Sequence, residues 1–314
     1  MNENSHHPSA VSRRLLAVAL FLGACTSVSH APAPANSTIG KINHIVVIYL
    51  ENRSFDNLYG EFPGADGIVG LTPEKYRQVD STGAAYVTLP QAPDSKLPST
   101  IPNAPFPIED YIPSNAPTRD LVHRFYQEQL QINDGRMNRF VVVSDAKGLT
   151  MGHYHTAALP LAAEARNYAL ADHFFHGAFG GSFFNHIYLI STAAPVFPNA
   201  PAAIRAKLDA NGRVATDGTV TPDGYVVNTA WTVNTPHLGV IPKEQLVPNQ
   251  TMPTIGDRLS DKNISWAWYS GGWDDAVSGR PAPLFQFHHQ PFAYFAKYAD
   301  GTPGRAQHLR DEKE

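Results

Sequence analysis

Three short segments carry the residue types that could do chemistry. Glu51 and Asn52 place a carboxylate beside an amide oxygen, a pair suited to a hard divalent cation. A Glu in such a place is also commonly just solvated. Gly180 and Gly181 precede Ser182, and two glycines let backbone approach a ligand closely while exposing a hydroxyl. Such a Ser is a nucleophile if something activates it, and otherwise an ordinary turn residue. The Gly-x-Ser-x-Gly elbow is absent, because Phe184 stands where its second Gly belongs. His288 and His289 lie among aromatics in FHHQP (287–291) and suit a ligand, an acid–base group or a packed pair. His123, His173, His176 and His186 are scattered further candidates.

These segments need a scaffold, and the composition allows one. The chain has 314 residues, 43% hydrophobic and 17% charged, enough apolar content for a core and too little charge for a disordered chain. The net charge of −4 gives no basic excess of the kind that marks a nucleic-acid binder. A single Cys excludes an internal disulfide framework and a thiolate metal cluster. The chemistry therefore falls to oxygen and imidazole groups.

Local patterns predict the elements. Ile42–Leu50 (INHIVVIYL) reads as a strand buried on both faces of a parallel sheet, ending at Glu51. Ligands bind outside the carboxyl ends of such strands. Residues 90–117 are crowded with Pro and predict a long surface excursion. Helical spacing covers 120–133 and 155–168, while 185–191 suits helix or strand. Residues 264–269 alternate as a strand, and 292–298 open a helix. The charged run 310–314 reads as a solvated tail, or else the sequence stops inside an element. The alternation of strands and helices predicts an α/β sandwich.

The N-terminus predicts export. Arg13 and Arg14 precede a ten-residue apolar run, Leu15–Ala24, which is too short to span a bilayer and has the length of a signal-peptide core. The lone Cys25 closes it in LGAC, which resembles a lipobox whose Cys becomes lipidated. An ordinary signal peptide cut after Ala31 is the alternative, and SRRLL also resembles a loose twin-arginine signal. The expected organisation is a signal peptide at 1–24, a Pro/Ala-rich tether at 25–40 and a folded domain at 41–314. The protein is then periplasmic or membrane-anchored, or else secreted, and touches a membrane only through its lipid.

Read together, the segments resemble one family. HIVVIYLENRSFDNLYGEFPGADGI (44–68), ADHFFHGAFGGSFFNHIYLIS (171–191), SWAWYSGGW (265–273) and LFQFHHQPFAYF (284–295) match, in order, blocks of the bacterial phosphoesterases. That family holds acid phosphatase A-type enzymes and non-haemolytic phospholipases C, and residues 60–67 resemble the acid-phosphatase branch more. The resemblance implies an alkaline-phosphatase-like three-layer sandwich around a mostly parallel sheet. It implies Glu51, Asn52 and Ser182 as ligands of a divalent metal of unspecified identity. Ser182 becomes the nucleophile, His289 the catalytic histidine, and His123, His288 and Asn185 substrate-binding residues.

The implied activity is hydrolysis of a small phosphate ester through a phosphoserine. A phospholipase C-type attack on a phospholipid headgroup is the runner-up. The family pattern also has a later acidic pair and a Trp-Asp-His-Val type block, and neither occurs before Glu314. Asp274 and Asp275 lie in an earlier block and are not assigned that role. The sequence thus reads as the family's N-terminal portion with an incomplete sheet, and a non-catalytic exported lipoprotein is the third reading.

Overall fold

The structure is a computed structural model that describes residues 38–314. The signal peptide, Cys25 and all but the end of the tether lie outside the described residues. The chain divides into two units, 1–50 and 51–314. In the first, a 3₁₀ turn at Thr38–Lys41 leads into Ile42–Leu50. This run is not a strand, and Ile45, Val46, Val47 and Ile48 are each more than 75% exposed. The expectation of a buried strand is corrected here. A β-branched composition suits a pleated, half-buried surface but forms a strand only where a ladder partner exists. Among the described residues no ladder includes this run.

The second unit begins with α1 (Phe55–Tyr59), whose N-terminus is capped by the Ser54 hydroxyl accepting from the Asn57 N–H. α2 (Pro73–Tyr76) follows. β1 (Phe106–Pro107) pairs in parallel with β2 (Gly152–His153), with Phe106 opposite Gly152 and Pro107 opposite His153. Between them lie α3 (Phe125–Ile132) and α4 (Phe140–Val143). α5 (Pro160–Ala165) and α6 (Ser182–Ser191) come next. β3 (Lys207–Leu208) and β4 (Val214–Thr216) form an antiparallel pair. α7 (Ile255–Ser260) and α8 (Trp273–Val277) flank β5 (Trp268–Tyr269). α9 (Pro303–His308) then leads to β6 (Leu309–Arg310), which pairs in parallel with β5. The fold is mixed α/β, and the described residues show three two-stranded sheets.

Several elements are shorter than the patterns predict, each for a local reason. The helix expected at 120–133 starts only at Phe125, whose N–H is taken by the Asn228 side chain at 3.0 Å. In 155–168, Leu159 is extended ahead of Pro160, which divides the segment into a 3₁₀ turn and α5. At 292–298 there are two 3₁₀ turns instead of a helix. Gln250 donates to the Tyr294 carbonyl at 2.8 Å and accepts from the Ala296 N–H at 2.9 Å, which draws Phe295 into an extended bridge. Arg310, placed in the charged tail by composition, belongs to β6.

Two apolar clusters hold the second unit. The larger packs Phe183, Phe184, Ile187 and Ile190 of α6 against Phe292, Tyr294, Tyr298 and Val247. The smaller contains Leu89, Leu97, Ile101, Phe106 and Ile108 with Val141 and Tyr154. The Pro-rich stretch at 90–117 is therefore not a surface excursion. Proline breaks regular structure without preventing burial of its apolar neighbours. Tyr294 is wholly enclosed, and its hydroxyl donates to the Ala230 carbonyl at 2.6 Å. Tyr294→Phe strands that carbonyl, and chemical denaturation is expected to show a loss of about 1–2 kcal/mol.

Candidate active site

α6 presents the site. Gly181 stands at its N-cap in extended backbone, and Ser182 opens the helix. The turn before it needs glycine twice. Gly180 has φ +144°, a region L-residues avoid, and a Cβ at Gly181 would lie 2.3 Å from the His123 carbonyl oxygen. Two side chains brace this turn. Glu128 accepts from the Gly180 N–H at 2.6 Å, and Asn185 donates to the Gly180 carbonyl at 2.6 Å. The other Asn185 atom, Oδ1, is buried without a hydrogen-bond partner.

The 3₁₀ turn Phe287–His289 packs on α6 and brings in the histidines. His288 Nε2 lies 2.9 Å from the Ser182 hydroxyl oxygen. His289 Nε2 lies 3.2 Å from Glu51 Oε1. His186, one turn along α6 from Ser182, donates from Nδ1 to the Ser182 carbonyl at 2.8 Å and stacks on His289 with centroids 4.7 Å apart. That hydrogen bond puts the His186 proton on Nδ1 and leaves Nε2 as an electron-pair donor. Ligand atoms of His186, His288 and His289 fall within 4.8 Å of one another, close enough to share a metal ion.

Burial governs the charges. His288 is pushed well below the ordinary imidazole range by burial, with the neighbouring His289, His186 and His123 adding to the shift. His186 is lowered to about 4, again chiefly by burial. Both are neutral near pH 7. For Glu51, burial works upward, but the His289 hydrogen bond and the nearby imidazoles prevail and hold it below the usual carboxylate value. Glu128 moves the other way, raised by burial.

These shifts give a signed prediction for the metal-free protein. A His whose folded-state value lies below its unfolded value takes up protons on unfolding, so stability rises with pH between the two. For His186 that window runs from about 4 up to about 6.5, and acidification through it costs on the order of 3 kcal/mol. Glu51 is depressed, so its contribution is present above its unfolded value and lost below it, in the same direction. Thermal melts at pH 7.0 and pH 4.5 are expected to show lower stability at the acid value. An equal or higher melting temperature at pH 4.5 contradicts the neutral-histidine geometry.

The sequence-derived candidates divide in space. Glu51, Ser182, His288 and His289 come together, and Asn185 lies behind the Ser182 turn. His123 flanks the turn through its carbonyl, while its Nδ1 lies 2.5 Å from the Leu121 carbonyl oxygen. Asn52 is exposed and makes no hydrogen bond to Ser182 or His289. Asp275 pairs with Lys313 at 3.4 Å and Arg280 at 3.8 Å, outside this cluster. Two members were under-read in the sequence. His186 ranked among scattered histidines, although its spacing of four from Ser182 puts both on one helix face. Glu128 gave no signal beyond a carboxylate within a helical pattern.

The donor set can be matched to metals. Three imidazole nitrogens suit a borderline ion of the zinc type better than a hard, all-oxygen cation. The expected Glu51, Asn52 and Ser182 set is more oxygen-rich than the cluster observed.

The family model of the phosphoesterase family matches residues 42–314, most of the chain. The chain belongs to the phosphoesterase family, a class of hydrolases acting on phosphate esters. No curated protein matches it.

Proposed function

We propose that this chain hydrolyses phosphate monoesters through a phosphoserine at Ser182. The observation that carries the reading is the 2.9 Å contact between the Ser182 hydroxyl and the buried, neutral His288 at the N-terminus of a ten-residue helix. The Ser182 oxygen attacks phosphorus as its proton passes to His288 Nε2, and the bond from phosphorus to the ester oxygen breaks. The phosphoryl group lies over the first N–H groups of α6, where the helix dipole favours negative charge. His289, paired with Glu51, protonates the departing alkoxide. Water then cleaves the phosphoserine, releasing phosphate and restoring the hydroxyl.

In a metal-loaded protein His186, His288 and His289 would instead hold a divalent ion and give up these proton transfers. When bound, such an ion stabilises charge on the phosphoryl oxygens. The reading carries with it an alkaline-phosphatase-like three-layer organisation, for which the parallel pairs β1–β2 and β5–β6 are the support. A phosphodiesterase of the phospholipase C type is a substrate variant of the same chemistry. Export as a lipoprotein through Cys25 also belongs to the proposal, and Cys25→Ser is expected to abolish radiolabelled palmitate incorporation. Among the described residues no helix is long and apolar enough to cross a membrane.

The deciding test incubates the full chain with p-nitrophenyl phosphate and with phosphatidylcholine, quenches in acid, and looks for a phosphorylated tryptic peptide. Phosphate on Ser182 during monoester turnover supports the proposal. Turnover without a phosphopeptide rejects the covalent step, and faster release of phosphocholine than of p-nitrophenol reassigns the substrate.

A further inference from the structure

The turn that carries His288 and His289 does little to hold itself in place. Phe287–His289 is a single 3₁₀ turn, and Gln286 at its N-cap makes no side-chain cap. Its backbone bonds run from the His289 N–H to the Gln286 carbonyl at 3.0 Å and from the Gln290 N–H to the Phe287 carbonyl at 3.4 Å. Turns of this kind have poor hydrogen-bond geometry and persist only in short pieces. The placement of the two imidazoles therefore depends on what the turn is attached to.

The attachment comes from β5. The Trp268 indole N–H donates to the His289 carbonyl at 2.7 Å. In return the Gln290 side-chain amide, which is wholly buried, donates to the Trp268 carbonyl at 3.4 Å. Trp268 thus grips the turn with both its side chain and its backbone. Trp268 is itself well anchored. It stands opposite Leu309 in the β5–β6 ladder, and the next bond of that ladder joins the Ser270 N–H to the Arg310 carbonyl at 3.0 Å. Trp266 and Trp268 both meet the buried Phe292 ring, with centroids 4.8 and 5.7 Å away. Trp266 in turn stacks on His308 of α9 at 3.9 Å.

The two histidines depend on this grip unequally. His288 is buried, edge-on to Phe183 at 6.1 Å, so packing alone restrains its ring. His289 has a side chain 36% exposed, and its ring is held only by Glu51 at 3.2 Å and the stack on His186. Freedom at the His289 backbone passes directly to its Nε2.

We propose that Trp268 is a positioning residue for His289, acting through the hydrogen bond from its indole N–H to the His289 carbonyl. The proposal rests on the reading of His289 as the proton donor to the leaving group, and a metal ligand at this position needs the same fixed ring.

Trp268→Phe tests it in the full chain, because Phe removes the N–H and keeps an aromatic ring against Phe292. In the wild type one of the four tryptophan indole N–H signals is expected to exchange slowly with solvent and to vanish in the variant. With ¹³C-labelled histidine rings, assigned by single His→Gln variants, the His289 signal should shift and the His288 signal should stay. With p-nitrophenyl phosphate, kcat should fall about tenfold and KM change less than about twofold, a smaller loss than the roughly hundredfold that a 1 Å misplacement costs. An unshifted His289 ring, or wild-type kcat in the folded variant, overturns the proposal and leaves Trp268 a packing residue. Should the variant fail to fold, free exchange of the Trp268 indole in the wild type overturns it equally. Failure of the phosphoserine reading shows separately, as turnover retained by Ser182→Ala or absent from the wild type. The indole exchange and the ring signals test Trp268 in either case.

Discussion

Ser182→Ala is expected to lower kcat for p-nitrophenyl phosphate by at least about a thousandfold while leaving the far-ultraviolet circular dichroism unchanged. Removal of a nucleophile costs several powers of ten where the rest of the site retains only binding and electrostatic effects. The fold should tolerate the change. Ser182 occupies the first position of α6, Ala is a good helix former, and the apolar packing of the helix comes from Phe183, Ile187 and Ile190. The variant also leaves His288 in place, so substrate affinity changes less than turnover. A Ser182→Ala protein retaining more than a tenth of wild-type kcat refutes nucleophilic catalysis at this position, whatever the substrate proves to be.

Gly181→Ala is expected to be nearly as damaging, though it touches no reacting atom. The new methyl would stand 2.3 Å from the His123 carbonyl oxygen and 3.0 Å from His123 Cδ2. A backbone oxygen cannot move aside as a flexible side chain can, so the Gly180–Ser182 turn must shift instead. That shift displaces the Ser182 hydroxyl from His288, and misplacement of about 1 Å can cost on the order of a hundredfold in rate. Overpacking of this kind also costs about 1–3 kcal/mol of stability. Activity below about one hundredth of wild type with a melting temperature lowered by several degrees is the expected result. Wild-type kinetics in a folded Gly181→Ala protein would show that this close approach is unnecessary.

The site was more legible in the sequence than the scaffold. Ser182 after paired glycines, the His288–His289 pair and Glu51 were marked by residue type and abrupt changes of polarity, and those signals survive without knowing tertiary contacts. The expected strand at Ile42–Leu50 failed because composition reports suitability for a sheet but not the partner strand. The Pro-rich segment at 90–117 misled for the opposite reason. Its breakers were visible, while the burial of Leu97, Ile101 and Ile108 depends on Val141 and Tyr154 much further along the chain. Glu128 was silent for the same cause, since it gains its meaning from the Gly180 N–H, a partner distant in sequence.

Distance along the chain has a kinetic consequence. Ser182 meets His288 across 106 residues, and Glu51 meets His289 across 238. Contacts of such separation carry a large loop-closure entropy and form only after nearer ones have shortened the effective loop. The candidate site should therefore be among the last features to assemble during refolding. Recovery of activity would then lag recovery of helix content and of buried tryptophan fluorescence. Turnover becomes a reporter of the final docking event, and chains halted earlier would look folded by spectroscopy while remaining inert.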